Sequence, residues 1–413
     1  PGPRPRGPGR TPGPAGRHPR GRRGPRGTAG TPAHGEGADG PDAHRRRLYP
    51  RAARRPDARG RPSGAVAVPR YPAGELRGWV ARLFEAAGLD AEDARLISDV
   101  LVSADRAGVH SHGVVRVGAY AELVRSGIWR SGVRPRLVRE GAAFLLLDAE
   151  GCPGPVAAVD GMTRCVEKAR RSGLAGVWVR SGGHFGRAGY YAEIAAREGL
   201  VGVAMANAAP SLAPWGGRER TLGNNPVAVA VPRRDGPPIV LDMALSVAAQ
   251  GRVRLAAERR ERLPAGWALD PHGHPTDDPQ QALAGTLLPV GGYKGYGMAL
   301  VVDVLTGVLC GGSFGRDVSP LRGSRYGASH AFFAVDVRHL RGPSEFFTDV
   351  ERLVHMVKGT ALAPGYTEVL LPGEREARCT AEQTDAVELP EEVVAQVRRV
   401  AALLGLPGPR EEG

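Results

Sequence analysis

Three histidines, an arginine, a lysine and one isolated aspartate are the residues of this chain whose types and spacing can do chemistry. The run Asp105-Arg106-Ala107-Gly108-Val109-His110-Ser111-His112-Gly113-Val114-Val115-Arg116 sets two histidines around a serine, with an arginine four residues beyond the second. A helix starting at Ser111 puts His112 and Arg116 on one face. An imidazole passes a proton near neutral pH, and a guanidinium holds a carboxylate by two parallel bonds. Together they suit a small carboxylate that gains or loses a proton, although a capped helix with a surface arginine shows the same spacing. His184 follows two glycines, which let backbone and ring approach a ligand closely. Asp242 is the only charge in the apolar run 238–244, so it needs a partner or faces a ligand hydroxyl. Lys294 lies in Gly291-Gly292-Tyr293-Lys294-Gly295-Tyr296-Gly297. That stretch opens an apolar helix running to about 309, and bare amides beside a lysine at a helix start form an anion site.

The elements that must position these groups follow from hydrophobic period. Apolar residues at helical spacing predict a helix from Tyr71 ended by Gly88, a second over 91–106, and a last one over 391–404. Between them the pattern becomes α/β. Strands are expected over 143–148, 174–179, 200–206, 227–231, 238–244 and 331–337, and one ending in Leu371-Pro372-Gly373-Glu374. Helices are expected over 155–171, 246–262 and 344–357. His184, Asn207, Trp215, Asn224 and Asn225 fall in the joints, where side chains can be exposed. His272 and His274 lie in an expected loop, exposed and not metal-bound.

Length and composition bound the answer. A chain of 413 residues with 42% hydrophobic content supports two or three domains and a real core. Residues 1–64 carry 16 of the arginines and only four acids, so they hold nearly all of the +13 formal charge. This Pro/Gly/Arg segment has too little apolar surface to fold and reads as a disordered tail or a misplaced translation start. Its Gly35-Glu36-Gly37-Ala38-Asp39-Gly40 matches G-x-G-x-x-G but has no strand before it and no helix after it, so it is no Rossmann fingerprint. Four dispersed cysteines fit reduced thiols and a cytoplasmic protein. A nucleic-acid-associated protein acting through the basic arm remains the alternative of another class, disfavoured by the lack of stacking aromatics there.

Seven segments in order, ADRAGVHSHGVVRV, GHFGRAGYYA, APWGG with LGNNP, LDMA, GWALD, GGYKGYG and LPGERE, make the chain resemble the malate/L-lactate dehydrogenase family of NAD(P)-dependent oxidoreductases. The resemblance spans about 71–404. It implies an α/β fold with a mixed β-sheet, helices on both faces, and no Rossmann motif. The dinucleotide-binding part would be 133–374, beside a helical domain made from 71–132 and 375–408. It also implies a homodimer with the site near the subunit interface, and a small 2-hydroxy/2-oxo carboxylate as substrate. His112 and His184 would handle the proton and Arg116 the substrate carboxylate. Asp242, Met243, Ala244, Lys294, Gly373 and Glu374 would contact NAD or NADP, and no metal is implied. Members act on malate, lactate, sulfolactate, ureidoglycolate, diketogulonate or cyclic imino acids. Ala208 and Ala209 stand where some relatives carry Ser and Asp, which weakens the ureidoglycolate and imine assignments.

Overall fold

The computed structural model describes residues 69–319, 327–383 and 386–409. The tail expected over 1–64, with its glycine motif, lies outside the described residues.

The first strand, β1 (Arg70–Pro72), leads into α1 (Ala73–Ala87) and α2 (Ala91–Arg106). Gly88, at φ 117, ends α1, and the Asp90 carboxylate caps α2 by accepting the amides of Glu92 and Asp93. These helices bury Leu76, Leu83, Phe84, Ile97 and Leu101 almost completely. Two 3-10 turns (His110–His112 and Val114–Arg116) precede α3 (Val117–Arg125). The helix expected from Ser111 therefore starts at Val117, because Gly113 in extended backbone interrupts it.

Next come β2 (Arg136–Glu140), β3 (Phe144–Asp148), α4 (Gly154–Ser172), β4 (Leu174–Arg180), α5 (Ala188–Arg197), β5 (Leu200–Ala206), β6 (Val227–Val231) and β7 (Ile239–Met243). After α6 (Gln250–Arg259), the short strands β8 (Ala268–Leu269), β9 (Pro275–Thr276) and β10 (Thr286–Leu287) form a small antiparallel sheet, with α7 (Pro279–Ala284) before β10. His272 and His274 are exposed at the turn between β8 and β9, where Asp270 accepts both of their amides. Helix α8 (Tyr293–Asp303) continues as a π-helical turn (Val304–Val308). The chain then forms β11 (His330–Asp336), α9 (Pro343–Lys358), α10 (Glu374–Glu382), β12 (Ala386–Glu388) and α11 (Glu391–Leu403).

The main sheet has seven strands in the order β2-β3-β4-β11-β5-β6-β7. Only β3 and β4 run parallel, so the sheet is mixed. The late strand β11 sits at its centre and pairs antiparallel with both β4 and β5. Its alternation serves two cores: Phe332 and Ala334 join α4 and α5 on one face, and Ala331 joins α6 and α8 on the other. Helix α4 can approach because position 161 is glycine; a Cβ there would meet the Phe332 ring at 2.8 Å. The first core is continuous from Leu76 and Ile97 through Leu147 and Met162 to Val394 and Val397. Strand β1 pairs with β12, and Trp79 Nε1 donates to Pro407 O at 2.8 Å, tying the two ends together.

Two expectations about strands fail. The run 238–244, whose apolar pattern predicts a buried strand, is instead the sheet's edge strand, with Leu241 and Asp242 exposed. The segment before Gly373 is irregular, held to the sheet by one bond from Val240 N to Pro372 O at 3.0 Å.

Candidate active site

The Ser111–Gly113 turn is built on Asp105. Its side chain, with no exposed surface, accepts Val114 N at 2.7 Å and bonds His110 Nδ1 at 2.9 Å. Burial pushes this carboxyl up, against the pull of His110 and the Val114 amide. Gly113 lies so close that a Cβ would fall 2.1 Å from Asp105 Oδ1. The turn so held carries His112 and Arg116. Arg116 Nε donates to Ser111 O at 2.8 Å, and its two terminal nitrogens have no partner among the described residues. That leaves the forked edge of the guanidinium open to a carboxylate.

His184 arrives from the β4–α5 loop. The rings of His112 and His184 stack with centroids 5.7 Å apart and an interplanar angle of 14°. Ser111 Oγ bonds His112 Nδ1 at 2.9 Å, while Tyr120 Oη bonds His184 Nδ1 at 2.6 Å. Neither Nε2 has a partner among the described residues. Burial, and then the charges of Arg116 and Arg187, push the His112 imidazole down to about 4. His184 goes well below its usual value for the same first reason, with Arg116 and His112 adding to it. Both rings are neutral at pH 7. The three residues expected to be catalytic thus come together.

The residues expected at the cofactor gather at the β7 end of the sheet. Asp242 Oδ2 accepts Gly189 N at 2.8 Å, a carboxylate capping the first turn of α5, so one of its oxygens has a structural partner. Beyond Met243 and Ala244, Leu245 N donates to Asn224 O at 2.7 Å and Leu245 O accepts Val290 N at 2.9 Å. These two bonds join the LGNNP, LDMA and GGYKGYG motifs. Gly373 lies against β7, where a Cβ would meet Val240 at 2.8 Å. Lys294 is exposed in the first turn of α8 behind Gly291 and Gly292, both at positive φ, and has no partner among the described residues. Glu374 is fully engaged. Burial alone would raise its carboxyl, but the Leu371 amide, Lys358 and Arg378 hold it at about 2.

The donor set fits a dinucleotide. The unpartnered Lys294 and the Gly291 amide can meet anionic oxygens, whereas the Gly292 amide donates to Pro289 O at 3.1 Å, and the buried Ser246 hydroxyl nearby has no partner among the described residues. Sequence reasoning missed Asp105, Tyr120 and Ser246. Tyr120 had a signal, standing four residues after Arg116 as Arg116 stands after His112. Asp105 had none, because only the fold brings it beneath Gly113. Among the described residues no group of His, Cys, Asp and Glu could hold a metal ion, and no helix is long and apolar enough to cross a membrane.

Comparison with known proteins places the chain in a family. The family described as malate/L-lactate dehydrogenase matches residues 71–398. A (2R)-3-sulfolactate dehydrogenase (NADP(+)) from Chromohalobacter salexigens is 37% identical over 77% of this chain and 93% of its own. A ureidoglycolate dehydrogenase (NAD(+)) from Escherichia coli O157:H7 is 38% identical over 70% of this chain and 83% of its own. The solved malate dehydrogenase of Pyrococcus horikoshii superposes with a TM-score of 0.76 at 32% identity, covering 82% of this chain and 96% of that one. The fold, the clustered motifs and these relatives together make the chain a member of the malate/L-lactate dehydrogenase family, NAD(P)-dependent 2-hydroxyacid oxidoreductases acting on CH–OH donors.

Proposed function

We propose that the chain interconverts a malate- or lactate-type 2-hydroxy acid and its 2-oxo acid. The observation that carries this is the open guanidinium edge of Arg116 beside two neutral, stacked imidazoles. Arg116 holds the C1 carboxylate and so fixes C2 in front of the rings. His112, with Nδ1 bonded to Ser111 and Nε2 unpartnered, takes the hydroxyl proton as hydride leaves C2, so no alkoxide accumulates. The bound carboxylate also cancels part of the Arg116 charge that depresses His112, which makes His112 a stronger base once substrate is in place. A nicotinamide cofactor, when bound, would supply the hydride acceptor or donor. Lys294, the Gly291 amide and Ser246 are suited to its phosphate and ribose oxygens, and Asp242, Met243, Ala244 and Gly373 to the rest of its cleft.

A homodimer belongs to this reading. Helix α8 and its π turn leave Leu300, Val301, Val304, Val308 and Leu309 exposed, Val301 by 54% and Leu309 by 59%. A helix apolar on all sides is normally covered, and a second copy of this chain would cover it beside Lys294. The test of the activity is a panel of malate, lactate, sulfolactate and ureidoglycolate with NAD and NADP, followed at the nicotinamide absorbance. Turnover of malate or lactate above the others supports the reading, and preference for ureidoglycolate refutes it.

A further inference from the structure

We infer that Tyr120 is a positioning residue that, with the Gly186 amide, fixes His184 in the tautomer bearing its proton on Nε2. His184 Nδ1 receives two contacts, Tyr120 Oη at 2.6 Å and Gly186 N at 3.3 Å. A backbone N–H can only donate, so Nδ1 must present its lone pair. The neutral ring then carries its hydrogen on Nε2, the nitrogen without a partner among the described residues. Gly186 aims its amide at the ring from positive φ, 86°, a conformation that favours glycine.

Tyr120 is held rigidly for this task. It is 1% exposed, and its ring lies 4.6 Å from Trp129 and 6.5 Å from Phe84, both buried. Burial raises its phenol above the usual range, so the hydroxyl stays a donor at every working pH. The two stacked histidines thereby receive different roles. His112 keeps a lone pair for the proton, whereas His184 points a fixed N–H at the C2 oxygen, where negative charge gathers as hydride arrives. A preorganised donor of this kind stabilises the transition state more than the ground state. Without Tyr120 only the longer Gly186 contact disfavours the other tautomer, whose Nε2 lone pair would face the C2 oxygen and repel it.

This inference rests on the proposed substrate only for where the C2 oxygen lies; the tautomer itself is a property of the free protein. The test uses the full chain labelled with ¹⁵N-histidine, with the His184 signals assigned by their loss in His184→Gln. Long-range ¹H–¹⁵N correlation should show a protonated Nε2 and a bare Nδ1. Tyr120→Phe keeps the ring packing and should shift the Nδ1 resonance. It should lower kcat by about 10- to 100-fold, the size of loss seen when the orienting partner of a metal-bound histidine is removed, with NAD(P)H affinity unchanged. A protonated Nδ1 in the wild type, or a Tyr120→Phe protein with unaltered His184 signals and kcat, overturns the inference. The expected spectra in a protein that turns over no 2-hydroxy acid would support the tautomer and refute the proposed activity.

Discussion

Replacing Gly113 by alanine tests the construction of the catalytic turn, and the structure sets the size of the effect. Gly113 has φ −89 and ψ −151, extended backbone that alanine can adopt, so the glycine is required for space and not for conformation. The added Cβ would lie 2.1–2.2 Å from the Asp105 carboxylate atoms. That carboxylate has no room to retreat, being fully buried and bonded to Val114 N and His110 Nδ1. Overpacking costs about 1–3 kcal/mol, and a Val114 amide left without its acceptor about 1–3 kcal/mol more, so Gly113→Ala should destabilise by roughly 2–6 kcal/mol. In an Asp105→Ala background the obstacle is gone and the amide has already lost its acceptor. The same glycine change should then cost less than about 1 kcal/mol. Urea unfolding of the wild type, both single variants and the double variant measures the coupling. Costs that add to within about 0.5 kcal/mol would refute the idea that Asp105 and Gly113 form one unit.

Three further outcomes follow from the same geometry. His330 is fully buried and donates from Nε2 to Gly183 O at 2.8 Å, and burial holds it at about 4 against a usual 6.5. Its depressed folded value contributes stability present above pH 6.5 and lost as pH falls toward 4, roughly 3 kcal/mol, so His330→Gln should make that limb of a stability–pH curve shallower by about this amount, leaving the share due to His112 and His184. Lys294→Ala should weaken NAD(P)H binding, read by fluorescence titration, more than it lowers kcat, because contacts to phosphate or ribose oxygens exist in ground and transition states alike. His112→Ala should lower kcat by about 10²-fold or more with cofactor affinity retained, and should abolish an acid limb of the oxidation rate lying well below pH 6.5, since the neutral ring persists down to about 4.

Local signals made much of the fold legible. Helix α2 has the bounds read from its apolar face, because Asp90 caps its start and the periodic pattern stops at Arg106. Strands β4, β5 and β6 were readable as short apolar runs between glycine-rich joints. The place of β11 in the sheet was not, since pairing residues 330–336 with both 174–180 and 200–206 depends on partners more than a hundred residues away. The edge position of β7 was hidden for a related reason: an apolar run reads the same at the edge of a sheet as at its centre. At the site, sequence brought out His112, Arg116, His184 and Lys294 by residue type and glycine context. It could not show that Glu374 is engaged by Lys358 and Arg378, or that Asp105 supports the turn, because these pairings exist only after folding.

The proposed reaction is direct hydride transfer from C2 of an acid held by Arg116 beside the two imidazoles. Its most direct test is to oxidise malate or lactate deuterated at C2 and weigh the reduced cofactor by mass spectrometry. Direct transfer places one deuterium in each molecule of NADH or NADPH formed. Reduced cofactor carrying only solvent hydrogen would contradict it.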